Sequence, residues 1–166
     1  MTRFLSALLI GGFFLLSACS LMKGDSVSDS SSDRVYGWGD ADITNLSDTK
    51  LTEKFKNSIN PIVYFEFDSV FLNSTALDIL NEQIAWLKKN PDALIVIEGH
   101  CDERGTREYN LALGERRAAT VQDYFVLNGI APNRIRIISY GKERPDVFGS
   151  TETSWSKNRR AVTIVN

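Results

Sequence analysis

Seven consecutive residues, ALIVIEG from Ala93 to Gly99, constrain this chain more than any others. The run is almost continuously apolar and too short for a buried helix, so it reads as a strand covered on both faces. Such a strand needs partners for its backbone and packed layers for its side chains. Upstream, IVYFEF (Ile62 to Phe67) is β-branched and aromatic and reads as a second strand. Between the two, Leu77, Leu80, Ile84 and Leu87 recur at spacings of three and four. They predict a helix with Asn73 or Ser74 as N-cap and Asn90-Pro91 as its stop. Downstream, a second helix is expected over about 106–128, with Leu111, Ala118, Val121 and Phe125 as its buried stripe and Asn128-Gly129 as its end. RIRIISYG reads as a third strand, and a loop with Pro145 and Gly149 runs through SWSKN to a last strand, RRAVTIV. This order predicts an α/β (α+β sandwich) fold: two main helices on one face of a four-stranded mixed sheet.

The N-terminus is of another kind. After Arg3, an uncharged run extends from Phe4 to Ala18, shorter than the roughly 20 residues of a membrane span and suited to a signal peptide. Retention as an anchor is the alternative. Leu16-Ser17-Ala18-Cys19 resembles the lipobox of bacterial lipoproteins, which implies cleavage before Cys19 and lipidation of its sulfur. Ser20 after the cysteine, where Asp would be the retention signal, implies by the same resemblance the outer membrane. From Ser20 to about Asn60 the chain is polar, with SDSSSD (Ser28 to Asp33) and Asp40, Asp42 and Asp48, and lacks the apolar surface to offset ordering entropy. The organisation expected is therefore a signal peptide over 1–18, a lipidated N-terminus and flexible tether over 19–60, and a folded domain over 61–166. Fully extended, the tether would reach about 140 Å. LTEKFKNSI (Leu51 to Ile59) is expected as a short helix at the domain edge. With Cys19 lipidated, Cys101 has no partner for an intrachain disulfide. A net charge of −2 with interleaved acids and bases argues against nucleic acid.

EGHCDERGTREYN, Glu98 to Asn110, places His100, Cys101, Asp102 and Glu103 side by side. Adjacent side chains of an extended segment point to opposite faces, so His100 and Cys101 do not readily share an ion, and His100 is the only histidine. For the same reason the thiol lacks a base, and Cys101 reads as a small buried hydrophobe. No catalytic residue, metal or cofactor is expected. Asp102 stands where a strand turns toward a helix, as either a turn-forming acid or a binding residue. On that helix, Asn110, Leu113 and Arg117 share a face, because offsets of three and seven residues return to about −60° and −20° around the axis. Gly114 among them, in mid-helix, points to something approaching the backbone closely. Asp102 and Arg117 are thus placed to flank one groove, the acid toward an ammonium and the guanidinium toward a carboxylate, a pattern for a zwitterionic amino acid end.

Four blocks, VYFEFD (Val63 to Asp68), EGHCDERGTREYNLALGERRA (Glu98 to Ala118), SYGKERP (Ser139 to Pro145) and SKNRRA (Ser156 to Ala161), resemble the peptidoglycan-associated lipoproteins and their OmpA-like domain. The resemblance implies non-covalent binding of peptidoglycan through the diaminopimelate of its stem peptide. It implies Asp102 and Arg117 as the diaminopimelate-binding pair, with Phe67, Asp68, Asn110 and Leu113 lining the rest. TolB and other Tol proteins are the implied partners, and the implied location is the outer membrane, lipid-anchored and facing the periplasm. The chain departs from commoner members at Ser69-Val70-Phe71-Leu72 and at Trp155, where a Tyr is usual and where the change is expected to affect packing only.

Overall fold

The first described helix owes its place to one aromatic side chain. The computed structural model describes residues 49–166; the signal peptide, Cys19 and the tether as far as residue 48 lie outside the described residues. Helix α1, Thr49–Ser58, carries Phe55 into the core, where it meets Trp86 edge-on with ring centroids 4.9 Å apart. Removing a Phe side chain from water contributes about 1.5–3 kcal/mol, and Leu51 and Ile59 pack against the same core beside it. Thr52 adds a hydrogen bond from Oγ1 to the carbonyl of Val165 at 2.7 Å. The short helix expected at the domain edge is thus part of the packed body, which extends upstream of Pro61.

Strand β1, Ile62–Tyr64, is shorter than the run through Phe67 that its composition suggested. Phe65 still donates its N–H to the carbonyl of Arg159 at 2.9 Å, and the chain then turns, with Ser69 N–H on the Glu66 carbonyl at 3.2 Å. A side chain, Arg117, takes the carbonyls that a neighbouring strand would otherwise have taken. Helix α2, Ser74–Lys89, is capped by Asn73, whose Oδ1 accepts the N–H of Ala76 at 2.9 Å. Leu80, Ile84 and Leu87 are buried, and Leu77 packs at the edge of the same core.

Strand β2, Ile95–His100, is followed by helix α3, Arg107–Leu127, and strand β3, Ile135–Gly141. Helix α4, Glu152–Asn158, occupies the stretch around SWSKN that was expected to be loop; Thr151 caps it by accepting the N–H of Ser154. Strand β4, Arg160–Val165, closes the sheet. The order is β1-β4-β2-β3, with β2 and β3 parallel and β4 antiparallel to both β1 and β2. ALIVIEG is therefore an interior strand, paired along both edges. Helices α2 and α3 pack on one face of this sheet, with Ile95, Ile97 and Ile135 meeting Leu80, Leu87, Val121 and Phe125 in one core.

Helix α3 lies against the sheet at a glycine pair. A Cβ built on Gly99 would sit 1.9 Å from the carbonyl oxygen of Gly114, and one on Gly114 would sit 2.4 Å from Ser139 Oγ. The close approach that mid-helix Gly114 suggested is thus the contact of α3 with β2 and β3. Ala118, Val121 and Phe125 of the stripe expected on α3 are buried, while Leu111 is only half-buried. Toward the N-terminal end Asn110, Leu113, Gly114 and Arg117 make up the inward face, which puts Arg117 in the interior.

Candidate functional site

The C-terminal end of β2 and the first turn of α3 form one side of a cleft of about 170 Å³. Cys101 continues the strand, donating its N–H to the carbonyl of Gly141 at 2.8 Å. The chain then turns at Gly105, whose φ is +88°. Two bonds from Asn110 brace the turn: its buried Nδ2 donates to the carbonyls of Arg104 at 2.7 Å and Thr106 at 2.9 Å. Thr106 caps α3 through its hydroxyl, which accepts the N–H of Tyr109 at 3.2 Å. Phe67, Asp68, Asp102, Asn110, Leu113 and Arg117, all singled out from sequence, line this one cleft.

Arg117 is its floor, and its side chain is fully buried. Nε donates to the carbonyl of Ser69 at 2.9 Å, Nη1 to that of His100 at 2.8 Å and Nη2 to that of Glu66 at 3.2 Å, with Cys101 Sγ 3.5 Å from Nη1. A guanidinium carries five N–H bonds, so one on Nη2 is left over. The open bidentate fork expected from sequence is instead a staple between the loop after β1 and the end of β2. Among the described residues no carboxylate pairs with it directly, and burial lowers its pKa from the ordinary value, against the weaker pull of Asp102 and Asp68.

Asp102 is also buried, yet it faces two cations. Arg104 grips it twice, Nε to Oδ1 at 3.1 Å and Nη2 to Oδ2 at 2.6 Å, while the Arg104 N–H also donates to Oδ1 at 3.1 Å. Arg159 reaches Oδ2 with Nη1 at 3.4 Å. Burial alone would raise the Asp102 pKa, but the hydrogen bonds from Arg104, followed by that from Arg159, hold it below the usual carboxylate value. Arg159 is itself buried and tied down, with Nε on the carbonyl of Phe65 at 3.0 Å and Nη2 on Glu152 Oε1 at 2.6 Å.

Aromatic side chains form the roof. The Arg104 guanidinium lies 4.0 Å from the ring centroid of Phe67 and 4.1 Å from that of Trp155, whose indole N–H donates to Glu103 Oε1 at 3.1 Å. Trp155 therefore backs Arg104, a residue of the cleft lining, beyond the packing role expected of it. Asp68 stands exposed at the rim with φ +51°, and its carboxylate accepts the hydroxyl of Tyr109. A non-glycine residue with positive φ is uncommon and clusters at functional turns.

The two most reactive-looking residues are scaffold. Cys101 faces Arg117 and donates its thiol to the carbonyl of Asn110 at 3.3 Å. Burial pushes its pKa up to about 11, so the thiolate is rare at neutral pH. His100 points elsewhere, with its ring 5.5 Å from that of Tyr140 and Nε2 3.6 Å from Glu98 Oε2. Among the described residues no three His, Cys, Asp or Glu side chains converge as a metal site. Reasoning from sequence missed Arg104, Tyr109 and Arg159. The signal available was Arg104 two residues beyond an Asp, the spacing at which an Asp side chain accepts a backbone N–H in a turn.

The OmpA family model matches residues 64–159. The peptidoglycan-associated lipoprotein of Brucella melitensis is 47% identical over 115 residues, covering 69% of this chain and 68% of that protein. That of Haemophilus influenzae is 36% identical over 163 residues, covering 98% of each. Among solved structures, the peptidoglycan-associated lipoprotein of Burkholderia pseudomallei matches with a TM-score of 0.63 at 40% identity, over 64% of this chain and 91% of that one. The C-terminal domain of Helicobacter pylori MotB shares the fold alone, with a TM-score of 0.59 at 20% identity over 63% of this chain and 83% of that one. A family match across more than half the chain, and relatives alike along most of their length, make this protein a member of the OmpA family, among the peptidoglycan-associated lipoproteins.

Proposed function

We propose that the protein binds peptidoglycan non-covalently, taking the diaminopimelate end of a stem peptide into the cleft over Arg117. One observation carries this reading. A buried carboxylate, Asp102, and a buried guanidinium with no direct carboxylate partner among the described residues, Arg117, line one cleft sized for one amino acid end. An ammonium goes to Asp102 as a charge-assisted hydrogen bond. The ligand carboxylate is drawn by the positive potential of Arg117 and by its remaining Nη2 N–H, while Phe67 and Leu113 contact the methylene chain. Asn110 acts through the turn it braces. The reaction is binding, and no bond is made or broken.

Cys19 carries the lipid in this reading, holding the protein on the periplasmic face of the outer membrane after removal of residues 1–18. Joining lipid anchor and wall on one chain raises the effective concentration of each for the other, so a modest affinity suffices to keep the envelope together. TolB and other Tol proteins are the proposed partners, linking the protein to outer-membrane integrity and to constriction at division.

Sedimentation with purified peptidoglycan sacculi tests the first part: Asp102→Asn is expected to leave the protein in the supernatant, and undiminished binding would overturn the site. Co-purification with TolB tests the second; its absence from a wall-binding protein would favour an OmpA-like lipoprotein outside the Tol system. Labelling with radioactive palmitate, lost in Cys19→Ala, tests the anchor.

A further inference from the structure

The carboxylate assigned to the ligand is already occupied. Each oxygen of Asp102 accepts hydrogen bonds from within the protein, the shortest being the 2.6 Å contact from Arg104 Nη2 to Oδ2. The two cations on Asp102 are not equivalent. Arg159 is 4% exposed and anchored at three points, on Phe65, Asp102 and Glu152. Arg104 is 31% exposed and its guanidinium touches Asp102 and two ring faces, Phe67 and Trp155. Its backbone N–H keeps its own bond to Oδ1, so the side chain can leave without undoing the turn.

Two ring faces, 4.0 and 4.1 Å from one flat cation, with a carboxylate at its end, make a slot that recognises cations by both ion pairing and cation–π attraction. From this we infer that Arg104 is an internal competitor for the ligand site: its guanidinium stands where the ligand's ammonium binds, and it swings out of the Phe67–Trp155 slot when the ammonium enters. The inference rests on the ammonium-binding role of Asp102 proposed above and adds how that site is regulated. Arg104 sets a threshold. Neutral and anionic ligands gain nothing by displacing it, because they return no positive charge to a buried carboxylate left with Arg159 as its one cation, whereas an ammonium restores the charge balance. The slot thereby selects for a cationic end on a slender chain.

The test is a titration of the full-length chain in detergent with meso-diaminopimelate, followed by NMR at the Trp155 indole N–H and the Arg104 Nε–H. In the unmodified protein the Arg104 signal, shifted upfield by the rings, is expected to move toward its solvent value as ligand saturates. Arg104→Gln removes the competing charge and is expected to lower Kd about two- to fivefold, the scale of a partly exposed ion pair. Arg104→Lys keeps the charge without the fork and is expected between the two. Unchanged or weaker binding by Arg104→Gln, or an Arg104 signal still ring-shifted at saturation, would overturn the competitor while leaving the wall-binding site standing. No response to ligand in any of the three proteins would overturn both.

Discussion

Arg117 and Arg104 bring two guanidinium groups to one cleft and spend them in opposite ways. Arg117 is fully buried and gives its N–H groups to the carbonyls of Glu66, Ser69 and His100, so it holds backbone in place and makes no direct ion pair among the described residues. Arg104 lies partly in solvent and gives its groups to one carboxylate, so its charge is neutralised and its place can be taken by another cation. The difference follows from where each side chain starts. Arg117 projects from the inner face of a long helix, pressed onto the sheet by the Gly99–Gly114 contact. Arg104 projects from a turn. One arginine therefore builds the floor and the other covers it.

Replacing the floor should have the largest effect. Arg117→Met leaves buried carbonyls without donors at the end of β2 and in the loop after β1, and should cost about 3–5 kcal/mol in urea unfolding together with loss of sacculus binding. A midpoint close to that of the unmodified protein would mean that the staple is dispensable. This reverses the expectation, natural from sequence, that removing a ligand-binding arginine would spare stability. Gly99→Ala should follow at about 1–3 kcal/mol, because the added methyl has only the Gly114 backbone to displace, lifting α3 and Arg117 with it.

Asp102 links floor and roof and gives a pH signature. Its folded pKa lies below that of an unfolded Asp, about 3.9. On acidification the unfolded chain takes the proton first. The stabilisation by Asp102 is accordingly complete above about pH 4 and is lost as pH falls through the depressed folded value. Urea midpoints between pH 6 and pH 2 should fall more steeply in the unmodified protein than in Asp102→Asn, and parallel curves would refute the coupling. The roof should matter least to folding. Arg104→Gln and Trp155→Tyr are each expected to change stability by less than about 1 kcal/mol, as partly exposed ion pairs and cation–π contacts do, and a larger loss would make the roof structural.

Much of this was legible in one dimension because it depends on local chemistry. ALIVIEG had to be an interior strand, the Leu77 to Leu87 spacing had to be a helix, and Asn73 and Thr106 are capping side chains at helix starts. Gly114 signalled a close approach by the absence of a side chain where one is favoured. Helix α4 was less legible, because seven residues with a single cap carry little periodic pattern. Strand β1 was overestimated, because its composition is right for a strand as far as Phe67, whereas Arg159 takes the Phe65 carbonyl and Arg117 and the turn to Ser69 take that of Glu66.

Apolar spacing, caps and the blocks around Asp102 and Arg117 are properties of short segments, and they were enough to give the layers and the residues that gather at the cleft. Which charge meets which was decided by tertiary structure alone. Whether a guanidinium faces a carbonyl, a carboxylate or a ligand depends on how a helix is rotated about its axis and how far it sits from the sheet. Those quantities are set by the Gly99–Gly114 contact and by the turn after β1, where segments far apart in sequence meet within hydrogen-bonding distance.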